Sequence, residues 1–171
     1  MSIQMPKVLK SFNVFIDGTS YAGRAKKFKL PELGVKLEEH RGAGMDFARQ
    51  MDVGMENLEA TLTMAEFSPD IEALVLTQNG SNTQITLRSA FNDDENTEVL
   101  PMECKIRGAF HKVTIREHES GTPGEDEYTI NLKFIALTAG GEELYHIDND
   151  NMIRRIRGVD QLEAQRAAIG L

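Results

Sequence analysis

Four histidines, His40, His111, His118 and His146, are the side chains best suited to ligate a metal or carry a proton, and none stands with Cys, Glu or a second His at a ligand spacing such as H-E-x-x-H. Each reads as a surface or strand histidine. Carboxylates come in adjacent pairs, Glu38-Glu39 and Glu142-Glu143, but neighbours on a strand point to opposite faces and cannot share a substrate. The acidic turns Asn92–Asn96 and Asp148–Asn151 lack the glycine and distal Glu of a calcium loop. Cys104 is the single cysteine, so it forms neither an internal disulfide nor a thiolate metal site, and its alternating neighbours suit a small buried hydrophobe. Ser120-Gly121-Thr122-Pro123-Gly124 carries no nucleophile-elbow spacing, and no G-x-x-x-x-G-K-[ST] phosphate loop occurs. The expectation is a chain with no catalytic residue, no metal site and no cofactor.

Composition narrows the classes further. With 19 Lys plus Arg against 27 Asp plus Glu, the 171 residues carry a formal charge of -8, and 40% of them are hydrophobic. That balance fits one folded domain, 1–171, rather than disorder. An acidic chain without a basic tract is poorly suited to gripping phosphates. Apolar runs such as Ala73–Leu76 and Phe134–Leu137 reach only four residues, where a membrane span needs about 20. Met1–Lys7 has no apolar stretch after a basic start and no cleavage site, so it does not read as a signal peptide, and the chain is expected to stay in the cytoplasm with no membrane anchor.

The elements that would position any site are mostly strands, because apolar and polar residues alternate over short stretches bounded by Gly, Pro, Asn and Asp. Phe12–Ile16 is a first strand, and Asp17-Gly18 turns it tightly into Tyr21–Leu30. Leu33, Val35 and Leu37 alternate with Lys36, Glu38 and His40; Leu58, Ala60, Leu62 and Met64 alternate with Glu59, Thr61 and Thr63. Paired, 33–40 and 55–64 make a long hairpin with a Gly-rich and Met-rich tip, 41–54, longer than the 2 to 5 residues typical of hairpin loops. Ser68-Pro69 starts a helix of about ten residues ending at Asn79-Gly80. Strands follow at 84–91, 97–107 and 110–118. Tyr128, Ile130, Leu132, Phe134 and Ala136 share the face of the clearest core strand, and Gly140-Gly141 turns it into 144–147. Asp160 with Glu163 has capping-box spacing for a short C-terminal helix. The fold class is therefore mainly β: an antiparallel sandwich or barrel-like subunit with a long hairpin, one helix near 69–79 and a short C-terminal helix.

A free two-stranded projection is marginal in water. An extended hairpin with an apolar face completes its burial on a neighbouring copy, and exposed sheet edges are satisfied when copies pair or close into a ring. Self-assembly is the function class this pattern points to.

The chain also resembles the major tail tube proteins of contractile-tailed phages, a family that includes the R-type pyocin tube subunit. The resemblance rests on Asn13-Val14-Phe15-Ile16-Asp17-Gly18 with Tyr21-Ala22-Gly23, on Leu30-Pro31-Glu32-Leu33 and Lys36-Leu37-Glu38, and on Arg41-Gly42-Ala43-Gly44-Met45. It continues through Asp52-Val53-Gly54-Met55-Glu56, Glu143–Asp148, Asn151-Met152-Ile153, Gly158–Leu162 and Ile169-Gly170-Leu171; the middle, 65–135, matches by pattern.

The resemblance implies a non-enzymatic virion protein, assembled in the host cytoplasm, whose hexameric rings share one inner β-barrel and stack into a tube. It implies as partners the sheath, a tape-measure protein, the baseplate and a tail terminator, with DNA passing through the lumen without specific binding. In a pyocin the tube would carry no DNA; a type VI secretion ring shares the architecture. A reading from another class is a monomeric β-barrel that binds a small apolar ligand.

For a tube, a neutral or acidic wall keeps DNA from sticking. Glu38, Glu59, Thr61 and Thr63 on the polar face of the long hairpin are the lumen-facing candidates, with Lys36 the exception in charge. Val35, Leu37, Leu58, Leu62 and Met64 are expected to pack on the core. The tip supplies the ring-to-ring or subunit contact candidates Arg41, Gly42, Gly44, Met45, Met51, Asp52 and Met55, since glycine permits close approach and methionine adapts to irregular surfaces.

Overall fold

The structure is a computed structural model that describes residues 5–77, 82–93 and 98–171. The alternation at the start gives β1 (Val8–Ile16). Asp17 and Gly18, at φ 46° and 84°, turn it in two residues into β2 (Thr19–Ser20), as the Asp-Gly pair predicts. There follow β3 (Ala25–Lys29), β4 (Val35–His40), β5 (Arg49–Met55), β6 (Glu59–Met64), the helical turn α1 (Pro69–Glu72) and β7 (Thr83–Asn92). The long strands β8 (Leu100–Thr114) and β9 (Asp126–Ala139) come next, then β10 (Glu142–Asp148), β11 (Ile153–Ile156), β12 (Val159–Asp160) and α2 (Glu163–Ala168).

All the pairings are antiparallel. The main sheet runs β12-β11-β10-β9-β8-β7-β1-β2, and one edge of β9 serves two partners: β6 along its first half and β10 along its second. β3 pairs with β6, and β4 and β5 form a separate two-stranded sheet. A single apolar cluster joins Val14 and Ile16 of β1 to Leu62 and Met64 of β6 through Ile106, Tyr128 and Ile130, so the sheet curls around its own core. The turn at Tyr21 links the two ends, its N–H donating to Val14 O at 2.8 Å and its carbonyl accepting from Ala25 N–H at 3.0 Å.

Several expectations are corrected. The segments 97–107 and 110–118 are one strand, β8, and Gly108 is no break but a point of close approach to β9. On β9 the buried face is Tyr128, Ile130 and Leu132, then Ile135 and Leu137; Phe134 and Ala136 turn away from the core. A bulge causes this, because Arg107 pairs with Phe134 but Gly108 with Leu132, leaving Lys133 as an extra residue that flips the period-two pattern. Outside, Phe134 meets His146 edge-on at 5.1 Å with the Arg107 guanidinium 5.1 Å from its ring.

The helix expected over 69–79 is confined to Pro69–Glu72. Ser68 occupies the N-cap position without a side-chain cap bond. Leu76 adopts φ 60° and its N–H donates to Phe110 O at 3.2 Å, which draws the chain out of the helix toward β8. The expected stop at Asn79-Gly80 lies outside the described residues, as do Met1–Gln4 and part of the turn at Asn92–Asn96. Asp160 is not the N-cap of α2; Leu162 is, and the Asp160 carboxylate reaches forward to the Leu162 N–H at 3.0 Å.

Candidate functional site

The long hairpin exists, but with other partners than the alternation suggests. Strand β4 pairs with β5, not with β6: Val35 lies opposite Met55 and His40 opposite Arg49. Residues 59–64 pair instead with β3, Lys29 opposite Thr61 and Phe28 opposite Leu62. The two ladders are halves of one interrupted hairpin, since between them the Glu56 N–H donates to Gly34 O at 3.0 Å. The interruption, over residues 30–34, includes Pro31, which has no backbone donor to give a ladder. The tip is therefore 41–48, and Met51, Asp52 and Met55 belong to a strand rather than to the loop.

This outer half projects from the body. Every residue of β4, and every residue of β5 before Met55, is exposed. Val35 and Leu37, expected to pack on the core, are 41% and 49% exposed, whereas Leu58, Leu62 and Met64 are buried as expected. Met51 and Val53 are exposed too. The register explains the difference, because only the half paired with β3 and β9 lies over the core. The tip is ordered by its own backbone: Met45 N–H donates to Gly42 O at 3.2 Å, Arg41 Nε donates to Met45 O at 3.3 Å, and Gly44 sits at φ 86°.

The lumen-facing candidates divide between two sheets. Lys36 and Glu38 are on β4, their charged groups 3.8 Å apart. Glu59 and Thr61 lie on β6, with the Glu59 carboxylate 3.8 Å from His111 Nε2. Thr63 is only 6% exposed and is removed as a wall residue. Lys27 and Lys29 stand across from Thr63 and Thr61, and each has a carboxylate neighbour, Lys27 with Glu125 at 3.8 Å and Lys29 with Glu32 at 3.0 Å.

Two features escaped sequence reasoning. Phe47, an aromatic in the tip, is 77% exposed; its signal was a lone large apolar residue among Gly, Asp and Arg. The other is a cleft of about 670 Å³ at the root of the hairpin, between 52–58 and the C-terminal elements. One wall is held by Asp160, which accepts from Arg166 Nη1 at 2.8 Å and from the Leu162 and Arg154 backbone N–H groups; Arg166 also donates to Met152 O at 3.0 Å. The Leu162 N–H foremost, then Arg166 and the Arg154 N–H, hold the Asp160 carboxyl below its ordinary value. Arg154 Nη1 also lies 3.9 Å from Asp52 Oδ2, joining this wall to the hairpin.

Burial pushes the Cys104 thiol up to about 12, which makes it inert. Among the described residues no cluster of His, Cys, Asp and Glu suits a metal, and no helix is long and apolar enough to cross a membrane. What the surface offers is an exposed hairpin, an aromatic side chain in its tip and a cleft at its root.

Residues 6–170 match the family described as phage tail tube protein FII. The tail tube protein of Escherichia phage P2 is 34% identical over 170 residues, covering 98% of this chain and 99% of the relative. The major tail tube protein of Serratia phage KSP20 is 26% identical over 156 residues, 90% of each chain. A chain in the cryo-EM structure of the extended PVC sheath–tube complex of an extracellular contractile injection system shares the fold, with a TM-score of 0.60 at 15% identity over 80% of this chain and 94% of that one.

Proposed function

The chain belongs to the phage tail tube protein FII family, and from that premise we propose that it polymerises as stacked hexameric rings into the inner tube of a contractile tail, with the lumen serving as the conduit for DNA. Tail tube proteins of this kind are virion components. The observation that carries the assembly reading is the β4–β5 hairpin. Val35, Leu37, Met51 and Val53 are exposed on a two-stranded projection, an arrangement that is marginal alone and finds burial against copies of itself. Among the described residues the outer edges of β3 and β4 have no strand partner, and they offer backbone groups for strand pairing with a neighbour.

The whole chain acts as one tail-tube domain in this reading and has no catalytic role. Lys36, Glu38, Glu59 and Thr61 face the lumen, where carboxylates and neutralised lysines give DNA no continuous row of cations to bind. Arg41, Gly42, Gly44 and Met45 at the tip, with Met51, Asp52 and Met55 along β5, make contacts between rings or subunits. The partners are the sheath on the outside, the tape-measure protein in the lumen, the baseplate at one end and the terminator at the other.

Negative-stain electron microscopy across a concentration series tests the proposal. Hollow rings or tubes are expected, if necessary only after purified baseplates are added. Uniform small particles at every concentration, with and without baseplates, would overturn it.

A further inference from the structure

Resting on the tube reading above, we infer that the cleft at the root of the hairpin is the receptor for the tip of another copy, with Phe47 as the anchor. Phe47 is 77% exposed, an unusual state for an aromatic in a turn that is otherwise ordered by its own hydrogen bonds. The cleft offers it apolar contacts within a lining that is otherwise polar: Leu58, Leu132 and Ile147 form its buried floor, Met55, Met152 and Leu162 part of its rim, and at about 670 Å³ it has room for a large side chain and its neighbours.

Geometry excludes the copy's own tip. The six residues of β4 at about 3.3 Å each hold the tip about 20 Å from the root, and a paired hairpin does not fold back on itself. The occupant is therefore a second copy. Charge agrees in sign: the tip and its flank hold Arg41, Asp46 and Arg49, net positive, while Asp52, Glu56 and Asp148 outnumber Lys133 and Arg154 in the cleft wall. The other sizeable cleft, lined by Phe12, Arg88, Met102 and Glu103, sets one carboxylate against one guanidinium and has no net charge. A tip and a receptor at opposite ends of one projection make a heterologous contact, which closes into a ring or repeats as an open stack according to the rotation it imposes. Within the tube reading it is the open repeat, from one ring to the next, that this contact supplies.

Two experiments test the assignment on assembled tubes of the full chain. In the first, Phe47→p-benzoylphenylalanine keeps an aromatic at the tip, and irradiation followed by mass spectrometry maps its contacts. Crosslinks to 53–58, 147–154 or 162–165 of another copy are expected; crosslinks confined to other positions would overturn the inference. In the second, Gln165→Trp, an exposed position on the cleft wall, fills the receptor without touching the core. The folded variant is expected to form rings and lose elongation into tubes. Tubes of wild-type length would overturn the inference and leave the tube function standing. A wild-type protein that forms neither rings nor tubes, even with baseplates, would instead defeat the tube reading itself.

Discussion

A Cβ atom built on Gly108 would stand 2.2 Å from the backbone carbonyl oxygen of Asn131, so β8 and β9 meet there at a separation that only glycine allows. The contact sits beside the bulge at Lys133, where β9 exchanges β6 for β10 as its edge partner. The close approach and the change of partner belong together, since a bulge bends and twists the strand that carries it.

Gly108→Ala is accordingly expected to destabilise the subunit by about 1–3 kcal/mol, the usual range for forcing extra atoms into a packed site. Urea denaturation checks this, with the midpoint falling and the slope unchanged. A midpoint equal to wild type would show that the two strands separate easily at this point.

The Asp126 carboxylate, fully buried, accepts from Arg116 Nε at 3.0 Å, from Arg116 Nη2 at 2.9 Å and from the Arg116 backbone N–H at 3.0 Å. Arg116→Met leaves that charge without its guanidinium and is expected to cost about 3–5 kcal/mol, read as a large fall in thermal midpoint. Arg116→Lys, a point charge in place of a two-pronged donor, should recover only part of the loss.

Acid should weaken the fold in a defined direction. The Arg116 side chain holds the Asp126 carboxyl below its ordinary value; for Asp148 burial pushes upward but the Asn151 hydrogen bonds and Arg107 bring the net shift down. A carboxyl depressed in the folded state contributes stability that is complete above the unfolded value of about 4 and is lost as pH falls through the lower folded value. Thermal midpoints are expected to be level near neutrality and to decline below about pH 5. Asp126→Asn should start lower and decline less steeply.

Stability and assembly should separate at the hairpin. Leu37→Ser with Val53→Ser changes residues already exposed in the single chain, so the monomer's unfolding free energy should move by no more than about 0.5 kcal/mol per site. Tube formation, scored by electron microscopy, should fail. Deleting 42–47 and still obtaining tubes of normal length would remove the tip from the contacts between rings.

Much of this was legible in the residues. Asp17-Gly18 dictated a two-residue turn because each residue tolerates a positive φ, and the buried alternation of Tyr128, Ile130 and Leu132 marked the central strand from its own period. Phe47 was visible as an isolated aromatic, yet a loop residue has no period to declare its environment.

The partner of each strand was not legible in the same way. Residues 35–40 alternate equally well against 49–55 and against 55–64, and Gly54 interrupts the pattern of the true partner, so the local code could not choose between them. Likewise Phe134 continued the alternation of Leu132 faultlessly, and only the extra residue at Lys133 sends it outward.

The sequence by itself determined a mainly β chain and its tight first turn, because side-chain period and turn chemistry act over a few residues, and its motifs carried the resemblance to tail tube proteins. The tertiary structure alone decided the pairing of β4 with β5, the exposure of Val35 and Leu37, the burial of Thr63, the left-handed exit at Leu76 and the cleft beside α2. Those depend on which distant backbone groups meet, as Leu76 meets Phe110 and Gly108 meets Asn131, and hydrogen-bond pairing between strands carries no label in the residues that make it.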